Sequence, residues 1–265
     1  MVTEFGQHNY WAIILGGSKG LGLATAQKLA RHGMNLCIVH RTRKADLPDV
    51  ERAFSQMAAE GIQCIDVNVD ATNADKRTAI MADLRNRMGE QGKIRALIHS
   101  IAKGNLKPML AQEKPSLQHD DFQLTIDAMA ISLYDWTKAL VMEHMFAPDA
   151  RIISFTSEGS TKAWKNYAAV SAAKAALEAI SRSIALEMAP LGIRANCIMA
   201  GVTNTDSLRM IPGHDTLLAH SRQRNPMARL TTPDDVANVV YLLCKDEAAW
   251  INGTVIPVNG GEHLQ

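Results

Sequence analysis

Cysteine is scarce in this chain of 265 residues. Its four thiols, Cys37, Cys64, Cys197 and Cys244, lie far apart, form no C-x-x-C pair and sit among apolar neighbours. That excludes a disulfide framework and fits buried free thiols in a reducing compartment. Neither sign of charge dominates, with 28 Lys and Arg against 27 Asp and Glu and a net charge of +1. No polyelectrolyte surface for nucleic acid or an anionic membrane is expected. The first eight residues lack a basic start followed by an apolar core, and no apolar run approaches the ~20 residues of a membrane span. The nine histidines form no H-x-x-x-H pair and no carboxylate cluster stands at ligand spacing, so no metal is expected. No repeat, low-complexity tract or linker interrupts the chain. One cytoplasmic domain over residues 1–265 is the expectation, long enough to bury a substantial core.

What is present is alternation. Short apolar runs at Tyr10–Leu15, Asn35–Val39, Ile62–Val69, Ile94–His99, Arg151–Phe155, Ile193–Ile198 and Thr254–Val258 read as buried strands. Helical patterns separate them at Leu21–Arg31, Leu47–Ala59, Ala74–Met88, Asp121–Phe146 (ended by Pro148), about Tyr167–Met188 and Asp234–Cys244. Such βαβ repetition predicts an α/β fold: a single doubly wound, Rossmann-type parallel sheet of about seven strands with helices on both faces. Two stretches without clear period, 102–120 and 200–230, follow the carboxyl ends of strands, where open α/β sheets bind ligands. The second, with Pro212, Gly213 and Pro226, is a candidate substrate lid.

Gly16-Gly-Ser-Lys-Gly20-Leu-Gly22 joins the first strand to the first helix. Glycines allow a tight turn and close approach of a ligand, and the helix N-terminus offers free N–H groups to a pyrophosphate. Gly16, Ser18, Lys19, Gly20, Leu21 and Gly22 are therefore expected cofactor contacts. At the end of the second strand stand His40, Arg41 and Arg43, with no carboxylate before Asp46. A basic residue there suits a ribose 2′-phosphate, so NADPH is expected over NADH, with Lys19 as a further cation. The alternative makes Arg41 and Arg43 solvated loop charges. Asp70 is read either as an acceptor for the adenine amino group or as a helix N-cap.

Tyr167 and Lys174 open a long Ala-rich helix seven residues apart, an interval that brings two side chains to nearly one face. A Lys charge near a phenol favours phenolate and is expected to lower the Tyr pKa toward that of a usable acid.

These motifs, in this order, resemble the short-chain dehydrogenase/reductase superfamily over nearly the whole chain: the glycine turn, Asp70, a Ser upstream of the Tyr, the Tyr/Lys helix and Ala200-Gly-Val-Thr-Asn-Thr205. The usual spacing there is Tyr-x3-Lys. Tyr-x6-Lys, with His99-Ser-Ile-Ala102 in place of Asn-Asn-Ala-Gly, is similar to the NADPH-using enoyl-acyl-carrier-protein reductases. The resemblance implies reduction of a trans-2-enoyl thioester, with hydride added at C3. It makes Tyr167 the hydrogen-bond and proton donor to the enolate oxygen, Lys174 the holder of the nicotinamide ribose, and Ser157 a third member. Ser100, Ile101, Ala102, Gly201, Val202, Thr203 and Thr205 become cofactor contacts by the same resemblance. Setting the Tyr back three helical residues moves its backbone ~4.5 Å, in keeping with charge that appears two carbons from the hydride. Leu15 replaces the superfamily's Thr, and Met129 replaces an Asn of the carbonyl-reductase proton relay, which weakens the rival reading of a 3-oxoacyl or other carbonyl reductase. A homotetramer through helices 121–146 and 167–188 is implied. An apolar slot for the acyl chain is expected from Leu208, Met210, Ile211, Leu217 and Leu218, which otherwise pack as core. Lys162, Lys165, Arg209, Arg222 and Arg224 would face an acidic acyl carrier protein.

Overall fold

Alternate residues of the inner strands enter opposite cores. In the first strand, β1 (Tyr10–Leu15), Ile13 and Leu15 are buried in one apolar cluster while Ala12 and Ile14 are buried in another. The second, β2 (Asn35–His40), divides likewise, Cys37 and Val39 against Leu36 and Ile38. A strand apolar on both faces needs helices on both, which only crossover connections supply. The computed structural model describes residues 4–211 and 213–265. Residues 1–3, within the segment read above for a leader, and Pro212 of the proposed lid lie outside the described residues.

The remaining strands are β3 (Cys64–Asn68), β4 (Lys93–His99), β5 (Phe146–Thr156), β6 (Ile193–Ala200) and β7 (Val255–Val258). All seven form one sheet in the order β3-β2-β1-β4-β5-β6-β7, every pair parallel. The helices are α1 (Gly20–Arg31), α2 (Leu47–Ala58), α3 (Ala74–Met88), α4 (His119–Ile126), α5 (Ser132–Met142), α6 (Ala168–Glu187), α7 (Asp206–Arg209), α8 (His214–Arg224) and α9 (Pro233–Cys244). Leu29 of α1, Phe54 of α2 and Val240 of α9 cover one face. Leu84 of α3, Trp136 of α5 and Leu177 of α6 cover the other. The expected doubly wound sheet is present. Among the described residues no helix is long and apolar enough to cross a membrane.

Three local expectations are corrected. Asp121–Phe146 is not one helix: α4 passes through a π-helical turn at Asp127–Ile131 into α5, which stops at Met142. Thr125 and Ser132, on either side of the turn, donate their hydroxyls to the carbonyls of Asp121 (2.6 Å) and Ala128 (2.8 Å), competing with the main-chain ladder. Phe146 instead begins β5. Pro148 falls where the pairing register with β4 shifts between Ile94 and Ala96, so its missing N–H disturbs no regular ladder. Second, the 200–230 stretch contains α7 and α8. Helix α8 buries only Ser221 fully and is polar nearly all round, so it has no apolar period to read. Third, Cys64, at the sheet's edge strand, is only half-buried, whereas Cys37, Cys197 and Cys244 are buried; all four are free.

Charge closes the amino edge of the sheet. Arg95 in β4 and Arg151 in β5 are each 1% exposed. Arg95 donates from Nε (3.1 Å) and Nη2 (2.8 Å) to the Cys244 carbonyl, and Arg151 Nε donates to that of Leu243 (2.8 Å). These are last-turn carbonyls of α9, which lack helical partners. Both guanidiniums and that of Arg194 converge on the Asp149 carboxylate. Burial pushes that carboxyl up, but Arg151, Arg95 and Arg194 outweigh it and hold the group below its usual range.

Candidate active site

At the opposite edge, the chain leaves β1 through Gly16, at φ 86°, where a Cβ would lie 2.4 Å from the Ser100 carbonyl oxygen. Only glycine makes that turn. Lys19 is the N-cap of α1 and supplies no side-chain cap, so the first N–H groups of the helix stay open for an anion. The turn forms one wall of a cavity of about 930 Å³ running along the carboxyl ends of the strands. Gly16, Ser18, Lys19, Gly20 and Leu21 line it, as do His40, Arg41 and Asp70. Ser100, Ile101, Ala102, Ser157, Tyr167 and Lys174 line it from β4, β5 and α6, and Gly201, Val202, Thr203 and Thr205 from the segment after β6. Gly22 alone of the expected cofactor contacts stands behind, packed against the Gly16 carbonyl.

Several of these residues are placed otherwise than their sequence roles require. The His40 imidazole is fully buried, 2.7 Å from Thr42 Oγ1 and 2.5 Å from Asp66 Oδ1, which leaves no ring nitrogen for a ligand. It fixes the loop that presents Arg41. Lys19 is paired with Asp46 (2.9 Å) and Asp206 (3.3 Å), and the Asp46 hydrogen bond raises its pKa. Asp70 is not the N-cap of α3; Asn73 is, accepting from Lys76 N at 2.9 Å. Asp70 accepts from the main chain and hydroxyl of Thr72 and pairs with Arg41 (3.2 Å) and Lys103 (3.3 Å). Burial raises its carboxyl, but Thr72 and Lys103 prevail and bring it to about 2. The N–H of Val202 donates to Glu262 Oε2 at 3.1 Å and is not free.

Tyr167 is the N-cap residue of α6, reached through Asn166 at φ 61°, a left-handed turn that Asn tolerates. Tyr167 and Lys174 are each 8% exposed. A Cβ on Gly159 would stand 2.5 Å from the ring atom Cε1 of Tyr167, so the loop after β5 lies flat against the phenol. The Trp164 ring lies beside it, its centroid 5.1 Å away. Lys174 Nζ donates to the Phe155 carbonyl at 2.6 Å, and burial lowers its pKa to about 8 against the pull of Cys197 and Glu178. The expected depression of the Tyr pKa is reversed: burial raises it, and Ser157 offsets only part of the rise. Ser157 Oγ is itself buried with no well-formed hydrogen bond. Behind the pair, burial and then Lys174 push the His99 imidazole down to about 3, so this ring is neutral, with Nε2 2.8 Å from Ser132 Oγ.

The wall facing Tyr167 is apolar. Met129 from the π-turn, Val170, Leu106, Trp164 and Ile211 cluster with its ring. Leu208, Met210 and Ile211 reach the cavity as expected, whereas Leu217 and Leu218 do not line it and lie half-buried on α8. Sequence reading missed Lys103, Glu158, Trp164 and Glu262, which line the cavity but belong to none of the motifs. It also misplaced Arg224, read as a cation at the mouth: the guanidinium is half-buried between Glu158 and Glu262.

A parallel sheet in this order, with a glycine turn after β1 and a buried Tyr/Lys pair over the carboxyl edge, defines an oxidoreductase of the short-chain dehydrogenase/reductase superfamily. Within it, the chain belongs to the family described as Enoyl-(Acyl carrier protein) reductase, which it matches over residues 16–263. It is 29% identical over 255 residues to the (3E)-enoyl-CoA-producing peroxisomal 2,4-dienoyl-CoA reductase of Rattus norvegicus, covering 96% of this chain and 83% of that one. It is 26% identical over 260 residues to Oxidoreductase UcpA of Escherichia coli K12, covering 96% and 94%. The crystal structure of the enoyl-[acyl-carrier-protein] reductase (NADH) from Aquifex aeolicus superposes with a TM-score of 0.83 at 25% identity, over 97% of each chain.

A nicotinamide dinucleotide, implied by this family, fits what the cavity offers. The open N-terminus of α1 suits a pyrophosphate, and the Ser157 hydroxyl, buried with no well-formed hydrogen bond, marks the end where a further polar group is wanted.

Proposed function

We propose that this protein is a single-domain, NADPH-dependent enoyl-thioester reductase, with enoyl-acyl-carrier-protein as substrate and the 200–230 segment as cover for the acyl chain. The observation that carries the proposal is the buried phenol of Tyr167 set against an apolar wall that includes Met129. Such a wall suits an acyl chain and offers no polar side chain at position 129 for the relay of a carbonyl reductase. When bound, NADPH supplies the hydride that adds to C3. Tyr167 donates a hydrogen bond and then the proton at the thioester oxygen, where negative charge develops. Burial keeps the phenol in its neutral form, which can donate a hydrogen bond to the oxygen, and makes it a weaker acid than a free tyrosine. Ser157 Oγ is a second donor to the same oxygen. Lys174 holds the ribose hydroxyls and keeps the potential positive. Arg41, 61% exposed in its side chain, Arg43 and Lys103 line the cavity and would meet a 2′-phosphate, Arg41 and Lys103 at the cost of their bonds to Asp70.

Around this centre we place an acyl carrier protein on Lys165 and Arg222, both exposed, and a homotetramer through α5 and α6, in the cytoplasm. The similarity to a 2,4-dienoyl-CoA reductase supports a second reading, in which the thioester carries a conjugated diene. The test is oxidation of NADPH and NADH with crotonyl, 2,4-hexadienoyl and acetoacetyl thioesters. Turnover of the crotonyl thioester with NADPH is expected. Turnover of the diene alone selects the second reading, and turnover of acetoacetyl thioester alone overturns both.

A further inference from the structure

Arg224, the last residue of α8, donates from Nη2 to Glu158 Oε2 at 2.5 Å and to Glu262 Oε1 at 2.9 Å. The two carboxylates come from distant parts of the chain, and their side chains are 7% and 2% exposed. Neither leads only to the guanidinium. Glu158 directly follows Ser157 and opens the 3-10 turn whose next residue, Gly159, lies against the Tyr167 ring. Glu262 receives the N–H of Val202 on its other oxygen and so holds the segment after β6 that lines the cofactor half of the cavity. Arg224 Nη1 also donates to the Gln265 carbonyl at 3.4 Å. Lys162 pairs with Glu158 Oε1 at 3.4 Å, so Glu158 keeps one cation if Arg224 is lost, while Glu262 keeps none among the described residues.

We infer that Arg224 is a positioning residue for both halves of the reaction: through Glu158 it sets the loop behind the acid, and through Glu262 it sets the loop under the cofactor. Both carboxylates are met by one nitrogen, Nη2, whose two N–H groups the rigid guanidinium aims in fixed directions, which a lysine ammonium on a flexible stem does poorly. Because Arg224 ends α8, the bridge also ties that helix to both loops. The inference rests on the proposed reduction for its kinetic readout but not for its binding readout.

The experiment compares wild type with Arg224→Ala, Arg224→Lys, Glu158→Gln and Glu262→Gln. It measures NADPH affinity by fluorescence, kcat and KM with crotonyl-CoA, and thermal midpoint. Glu262→Gln is expected to weaken NADPH about tenfold with kcat little changed. Glu158→Gln is expected to lower kcat about tenfold to a hundredfold, as a small misplacement does, with NADPH affinity kept. Arg224→Ala should show both defects, and Arg224→Lys, which keeps the charge and hence the fold, should show both in milder form. A purely structural role would lower the thermal midpoint and leave affinity and kcat per folded molecule at wild-type values in Arg224→Lys; that result overturns the inference. If wild type binds no NADPH or does not reduce crotonyl-CoA, the parent reading fails instead.

Discussion

The two edges of the sheet handle buried charge in opposite ways. At the amino edge, Arg95, Arg151 and Arg194 share Asp149, and the guanidiniums also satisfy the carbonyls that end α9 and its neighbours. That network is complete within the chain. At the carboxyl edge, among the described residues, Lys174 is buried without a carboxylate in contact, Ser157 Oγ has no well-formed bond, and the N-terminus of α1 has no side-chain cap. Native proteins leave such groups unmet at cost, and the cost is tolerated where a ligand completes them. Changes at the amino edge should therefore harm the fold and spare the reaction, and changes at the carboxyl edge should do the reverse.

The largest effect tests the carboxyl edge. Tyr167→Phe is expected to slow enoyl reduction by about 10²–10⁴-fold, as loss of an acid does. Its thermal midpoint should be unchanged, and wild-type turnover would show that the phenol is not the donor. Next comes Asp149→Ala, which leaves two buried guanidiniums without their shared counter-charge. A loss of about 3–5 kcal/mol in urea unfolding is expected, with NADPH affinity per folded molecule kept. A stability within error of wild type would break the contrast.

Lys174 gives the third. Its pKa is about 8 in the fold and 10.5 in the unfolded chain, so between those values the unfolded state binds more protons and stability rises with pH. The cost of the buried ammonium is thus fully present below pH 8 and relieved by pH 10.5. Lys174→Met should be the more stable protein at pH 7, by about 3 kcal/mol, and lose that advantage as the pH climbs. Unfolding curves of the two proteins from pH 7 to 10.5 that stay parallel would refute this. The smallest effect is that of Ser157→Ala. Removing a buried hydroxyl that has no well-formed hydrogen bond should leave stability unchanged or raise it by about 1 kcal/mol, while kcat falls about tenfold. A clear loss of stability with kcat intact would reassign Ser157 to packing.

Much of this was legible in sequence because the inner strands announce themselves by apolar runs between glycine-ended helices. The Tyr167/Lys174 interval was legible too, since seven residues span nearly two helical turns wherever the helix sits. The amino-edge network was not: Arg95 lies inside an apolar run and its partners Asp149 and Asp246 are remote in sequence, so only the folded sheet brings them together. The reversal at Tyr167 has the same origin. Proximity of a cation can be read from spacing, but the depth of burial that overrides it cannot. The bridge at Arg224 was hidden because a polar helix carries no period, and the residue looked like any surface cation.

Strand β5 carries Asp149 near one end and delivers Ser157 at the other. Side chains along a strand alternate between faces, so deleting one residue between them, such as Ile153, would turn either the anchor or the hydroxyl to the wrong side. The distance from Asp149 to Ser157 is thus a ruler that the molecule cannot shorten by a single unit.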